Sequence, residues 1–352
     1  MATTVALPEN APHWASLLDL ASARLGGLPL AASDDFFAEK ENLLMPAPAE
    51  FKVGVYTDRG KWMDGWESRR NRDPRKDHDW VVLRLGLPGA VLGFDVDTSF
   101  FVGNAPEAVA IDLLSHPAPL RPHEAGEVAS WVEVVPPTRV ERGAHNFIAV
   151  HGDRQALVAR ATHARLRIFP DGGVARFRVY GEVVPDWERA LPGQLVDLAS
   201  MAWGGRALAS NDAFFSPKDN INLPWASRRM DDGWETRRRR TYNAGLDRHD
   251  WILVQLGRPA AIRQAIIETH FFKGNPPDRA CLEAVHAPGA GVDALTGPGM
   301  AWRRLLPMSP LEPHGTHTFD KELDDIGVVS HVRLTIEPDG GVSRLRLFGA
   351  PT

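Results

Sequence analysis

Apolar and charged residues alternate through Ala164-Arg165-Leu166-Arg167-Ile168-Phe169 and again through Arg176-Phe177-Arg178-Val179-Tyr180. A period of two belongs to a strand with one buried and one solvated face. Pro170-Asp171-Gly172-Gly173 between them supplies turn residues, so the pair predicts a hairpin. Val332-Arg333-Leu334-Thr335-Ile336 and Arg344-Leu345-Arg346-Leu347-Phe348 predict a second hairpin around Pro338-Asp339-Gly340-Gly341. Short apolar runs over 80–85 and 251–256, ending at Gly86 and Gly257, predict further strands, as do those over 91–98 and 262–269. Trp14, Leu17, Leu18 and Leu20 after Pro12 follow a helical spacing and predict a helix over 12–24, with a counterpart over 191–201. Many short strands joined by long loops indicate an all-β protein of antiparallel jelly-roll sandwiches.

The pattern occurs twice. Ser33-Asp34-Asp35-Phe36-Phe37 returns as Ser210-Asn211-Asp212-Ala213-Phe214-Phe215, and Asp64-Gly65-Trp66-Glu67-Ser68-Arg69-Arg70 as Asp232-Gly233-Trp234-Glu235-Thr236-Arg237-Arg238. His78-Asp79-Trp80 returns as His249-Asp250-Trp251, and the Phe100-Phe101 and Pro170-to-Val174 segments recur in the same order. The unit exceeds the roughly 20–50 residues of a solenoid repeat. It therefore describes two tandem domains, 1–183 and 184–352, with the junction near 185–193, where Pro185 and Pro192 limit regular structure.

Composition narrows the class without choosing a function. The chain has 352 residues, 43% hydrophobic and 24% charged, enough for each half to bury its own core. A net charge of −5 argues against a nucleic-acid partner, which wants a basic face. Cys281 is the only cysteine, so no intrachain disulfide forms, and its setting suits a packed side chain. The absence of a basic, then apolar, N-terminal stretch and of any apolar run of about 20 residues predicts a soluble cytoplasmic protein without membrane contact.

Three polar clusters are candidates for chemistry. The first is the Asp-Gly-Trp-Glu-Ser/Thr-Arg-Arg loop, carrying Glu67, Arg69 and Arg70 in one copy and Glu235, Arg237 and Arg238 in the other. An indole beside acids and guanidinium groups suits a polar small-molecule site, and equally a solvated loop held by local ion pairs. The second is His78 and His249, each flanked by acids before a strand, where a carboxylate can fix an imidazole for proton transfer or simply cap a turn. In the third the copies diverge, Asp97, Ser99 and Val102 against Glu268, His270 and Lys273, while Asn104 and Asn275 are common to both. The Phe pairs beside it, 100–101 and 271–272, read as core. His145, His163, His317 and His331 lack dense metal-ligand spacing, although distant loops could still assemble a site. No dinucleotide, phosphate-loop or Gly-x-Ser-x-Gly motif is present.

Segments 33–44, 63–70, 78–80 and 97–104, together with their second copies, closely resemble those of the allantoicase family over essentially the whole chain. The resemblance implies two galactose-binding-like jelly rolls, homo-oligomeric assembly, and hydrolysis of allantoate to ureidoglycolate and urea in purine catabolism. Allantoate carries a carboxylate and two ureide arms on one carbon. Its cleavage calls for a cation from Arg69, Arg70, Arg237, Arg238 or Lys273, amide partners such as Asn104 and Asn275, and a proton donor among His78, His249, His270, Glu67 and Glu235. No cofactor is demanded by the sequence, and a divalent metal is compatible with this class of hydrolase. The competing expectation is a non-enzymatic carbohydrate- or small-molecule-binding sandwich, in which loop tryptophans stack on a sugar.

Overall fold

The computed structural model describes Pro8 and residues 10–118, 120–125, 130–238 and 249–351. The chain divides into two units, the first ending at Val184 and the second running from Pro185. In the first the main strands are β1 (Leu28–Ala32), β2 (Asp79–Asp97), β3 (Ala108–Leu114), β4 (Val132–Arg139), β5 (His145–Ala149), β6 (Ala161–Phe169) and β7 (Arg176–Val183). In the second they are β8 (Arg206–Ser210), β9 (Asp250–Glu268), β10 (Arg279–Val285), β11 (Arg303–Pro310), β12 (Thr316–Phe319), β13 (Val328–Glu337) and β14 (Arg344–Gly349). All pairings are antiparallel, and the described α-helices are single turns, Gly152–Gln155 and Val292–Thr296.

Both domains turn on one long strand. The runs expected as separate strands are continuous in β2 and in β9, each of 19 residues. The first part of β2, Asp79 to Arg84, pairs with β1 and β6, which continue through β3 to β4. Its second part, Gly89 to Asp97, pairs with β7 and β5. One strand thus belongs to both layers of the sandwich. The corner falls at Gly86-Leu87-Pro88-Gly89, where the backbone passes so close to a neighbouring loop that a Cβ on Gly86 would lie 2.3 Å from the Leu25 carbonyl oxygen. β9 repeats the arrangement at Gly257. Between the layers lies the core, with Trp66, Phe94 and Phe177 fully buried in the first domain and Trp234, Ile267 and Leu345 in the second.

Three further expectations change. Residues 12–24 do not form a helix. Short 3-10 turns at His13–Ser16 and Ala23–Leu25 flank Leu18–Asp19, which pairs with Gly181 and Tyr180. The Leu20 N–H donates to the Val179 carbonyl at 2.8 Å, so the edge of β7 claims backbone that a helix would need. The segment 191–201 behaves alike: Val196–Asp197 pairs with Gly349 and Phe348, before a 3-10 turn at Met201–Trp203.

The third change concerns two of the hairpin arginines, Arg176 and Arg344, which are not solvated. Arg176 is buried and donates to Asp64 Oδ2 at 2.7 Å and to the Ala47 and Pro48 carbonyls. Arg344 is 0% exposed and serves Asp232 Oδ1 at 2.7 Å and the Trp225 carbonyl at 2.7 Å. The loop preceding each Gly-Trp-Glu motif folds over these side chains and supplies the acceptors that permit their burial.

Candidate functional site

Each Gly-Trp-Glu loop is fixed by its tryptophan. Trp66 is fully buried and donates from Nε1 to the Asp34 carbonyl at 2.8 Å, and Trp234 does the same to Asp212. Trp66–Glu67 pairs with Gly173–Val174 of the hairpin turn. That turn requires Gly172, whose φ is 138°, and the Ser68 hydroxyl bonds its backbone. The turn, the loop and the end of β2 are thereby tied into one rim, from which Glu67 projects.

The motif arginines diverge from one another. Arg69 pairs with Asp34 at 2.6 Å and lies over the Phe36 ring, while Arg237 pairs with Asp212 and lies over Phe214. Burial alone would raise the Asp34 pKa, but hydrogen bonds and charge from Arg69 outweigh it and hold the carboxyl below its usual value. Arg70 donates to Asp171 at 3.0 Å and reaches the Gly103 carbonyl, and Arg238 donates to the Gly274 carbonyl. These arginines brace the rim.

Glu67 and Asn104 are brought together. Asn104 Nδ2 donates to Glu67 Oε1 at 2.6 Å, and Asn275 donates to Glu235 Oε1 at 2.6 Å in the second copy. Burial raises the pKa of both carboxyls, opposed in each by the asparagine and, for Glu67, by the charge of Arg70. The first pair borders a cavity of about 400 Å³ with Phe37, Lys61, Met63 and Phe100 in its wall. Phe100 departs from the expectation of core: Phe101 is fully buried, whereas Phe100 is 44% exposed at φ 70°, as Phe271 stands at φ 72°. A bulky residue at positive φ costs energy and is held there by its surroundings.

Lys61 escaped the sequence reading because it lies outside the duplicated motifs. Asp64 follows Phe37 by 27 residues, but Asp232 follows Phe215 by 17. The ten extra residues of the first copy carry a hairpin, Tyr56–Thr57 with Gly60–Lys61, whereas 221–229 form no strand. The unequal spacing was the available signal. In the second domain a lysine stands elsewhere: Lys273, exposed, takes the position of Val102, which borders the first cavity.

The histidines lie in different surroundings. His78 Nδ1 sits 2.6 Å from Asp77 Oδ1 with its ring against Phe169. His270 Nε2 is 2.9 Å from the Thr316 hydroxyl and its ring meets His314. His249 faces a separate cavity of about 450 Å³ on the β9–β10–β13 sheet, along with Trp251 and Arg333. Among the described residues no group of three or more His, Cys, Asp or Glu is placed to hold a metal ion, and no helix is long and apolar enough to cross a membrane.

The model of the allantoicase repeat matches residues 18–184 and again 196–352. A probable allantoicase of Burkholderia pseudomallei is 45% identical over 97% of this chain and 98% of its own length, and one of Photobacterium profundum is 42% identical over 97% and 98%. The crystal structure of allantoicase from Saccharomyces cerevisiae superposes with a TM-score of 0.73 at 33% identity, covering 94% of this chain and 92% of that one. Two repeats matched in tandem, and relatives aligned nearly end to end, place this chain in the allantoicase family.

Proposed function

We propose that the Glu67–Asn104 cavity of the first domain binds allantoate and that Glu67 handles the proton of its cleavage. As an allantoicase the chain hydrolyses allantoate to ureidoglycolate and urea, and the full-length likeness to allantoicases leaves the carbohydrate-binding alternative without favour. The bond from the central carbon to one ureide nitrogen breaks. That nitrogen takes a proton and leaves with its ureide arm as urea, and a water-derived hydroxyl completes the carbon.

The observation carrying this reading is the 2.6 Å Asn104–Glu67 hydrogen bond at the wall of a cavity of ligand size. Burial raises the Glu67 pKa, which favours the protonated form that a leaving nitrogen needs. Asn104 holds the carboxyl through Nδ2 and offers its amide oxygen to a ureide N–H. Lys61 at the rim supplies a cation for the substrate carboxylate, while Arg69, committed to Asp34, orders the loop. In this reading His78, His249 and His270 lie outside the reacting centre.

No step is routed through a metal; urea release that survives exhaustive chelation is the expected result, and its loss on chelation with recovery on metal addition would overturn that part. A homo-oligomer in the cytoplasm, without nucleic-acid contact, completes the proposal, and light scattering of the purified protein tests the assembly. The decisive experiment is urea release from allantoate by the purified chain, then by Glu67→Gln.

A further inference from the structure

Duplication supplies an internal control for the outer face of each long-strand sheet. In the first domain that face is filled. Arg167, opposite Ala110 and Trp80, donates to Asp112 at 3.0 Å and to Glu133 at 2.8 Å. The Phe169 ring packs on His78, and Leu120 and Ala125 close over Val82 with Trp80 and Trp131 against them.

In the second domain the registers equate Arg167 with Thr335, which lies opposite Cys281 and Trp251, and Phe169 with Glu337, opposite Arg279. Glu337 pairs with Arg279 at 3.2 Å. Two large side chains are thus exchanged for a small one and for one engaged at the edge. A cavity of about 450 Å³ occupies this face, and His249, the counterpart of the packed His78, borders it.

The cavity carries a specific hydrogen-bonding pair. Arg333 Nε and Nη2 both donate to Glu283 Oε2, at 3.0 and 2.6 Å, while the guanidinium stacks on Trp302 at 4.9 Å. Among the described residues Glu283 Oε1 and Arg333 Nη1 take no part in those two bonds, so the pair keeps an acceptor and a donor at a cavity that Thr335 also lines. The ion pair is neutral overall, so it suits a neutral group that offers both N–H and C=O. Trp251, Leu295 and Met308 give such a planar group apolar walls.

We propose that this cavity is a second small-molecule site that binds a ureide, the group –NH–CO–NH2, through Glu283 and Arg333. The choice of a ureide rests in part on the reading of the reaction, whose substrate and products all carry the urea group. The site is separate from the Glu67 cavity, and its occupant is held without being cleaved.

Cys281 borders the cavity and is the only cysteine in the chain, so its alkylation by iodoacetamide reports on this place alone. N-carbamoylglycine, a stable ureide, serves as probe and acetate as control. Protection scales as 1 + [L]/Kd, so at ten times its Kd the probe slows alkylation about tenfold, and acetate does not. Arg333→Gln keeps the cavity open and abolishes the protection. Thr335→Arg, which restores the first-domain residue, slows alkylation by itself and makes it insensitive to the probe. If one variant melts early, the other decides. Equal alkylation with and without N-carbamoylglycine, or equal protection by acetate, overturns the proposal. Urea release by the unmodified chain is measured in parallel: its absence would overturn the reading of the reaction while leaving the footprint to decide the second site.

Discussion

Replacing Glu67 by Gln removes a titratable proton and little else. The amide has the shape of the carboxyl, and its oxygen can accept the Asn104 Nδ2 hydrogen bond that Glu67 Oε1 accepts at 2.6 Å. The substitution also removes a carboxyl that burial disfavours as an anion, so the melting temperature should hold or rise slightly. General acid–base transfer contributes about 10²–10⁴-fold to rate. At about 1.4 kcal/mol per decade, kcat should therefore fall by the equivalent of ~3–5 kcal/mol in barrier. The assay is urea release under saturating allantoate, with Glu235→Gln as the matched control. Glu235 has the same asparagine bond, but its domain lacks the 56–61 hairpin, so its loss should cost no more than about threefold, well under one decade. The pH profile adds a second check. A donor with a raised pKa is competent below that pKa, so activity should decline as pH rises through it, starting above the ordinary glutamate value of 4.5. That limb should vanish in Glu67→Gln. Wild-type kcat in Glu67→Gln, or an equal loss in Glu235→Gln, would refute the assignment of chemistry to the first domain.

Three further outcomes follow from the same geometry. Lys61→Met should raise KM for allantoate about tenfold to a hundredfold with kcat little changed, since a charge-assisted hydrogen bond is worth about 1.5–3 kcal/mol; an unchanged KM would place the carboxylate elsewhere. Arg344→Met should destabilise by about 3–5 kcal/mol in denaturant titration, because Asp232 and the Trp225 carbonyl lose a buried donor, whereas Arg69→Ala, on an exposed ion pair, should cost no more than about 1 kcal/mol. His163 is held neutral by burial and by the charges of His116 and Arg84, which lower its pKa from 6.5 to about 4. The unfolded chain takes up that proton first as pH falls, so this contribution is present above pH 6.5 and lost toward pH 4. At about 1.4 kcal/mol per unit it amounts to ~3–4 kcal/mol at most, and His163→Asn should flatten the melting temperature over that range.

The tandem all-β architecture and the closing hairpins were legible in the residues themselves, whereas Glu67 and Asn104 stood out there only singly, without their pairing. Alternation of period two is a local property, and duplication displayed it twice with the same turn chemistry. Four matters were decided only by tertiary structure. Segments 80–85 and 91–98 proved to be one strand, because Gly86 lets it turn between layers where a side chain would strike the Leu25 carbonyl. The spacing of Leu17, Leu18 and Leu20 suggested a helix, yet the edge of β7 offered backbone partners more than 150 residues away. Arg176 and Arg344 alternate like solvated residues, but they are buried because a loop far removed in sequence returns over them with matched acceptors. Lys61 and the setting of His249 followed neither periodicity nor repetition. An insertion placed one beside Glu67, and the exchange of Arg167 for Thr335 left the other facing a cavity where its twin is packed. Local pattern specifies which way a side chain starts out from its own backbone. What covers it, and so whether it is core, brace or ligand contact, is set by chain that sequence spacing does not bring near.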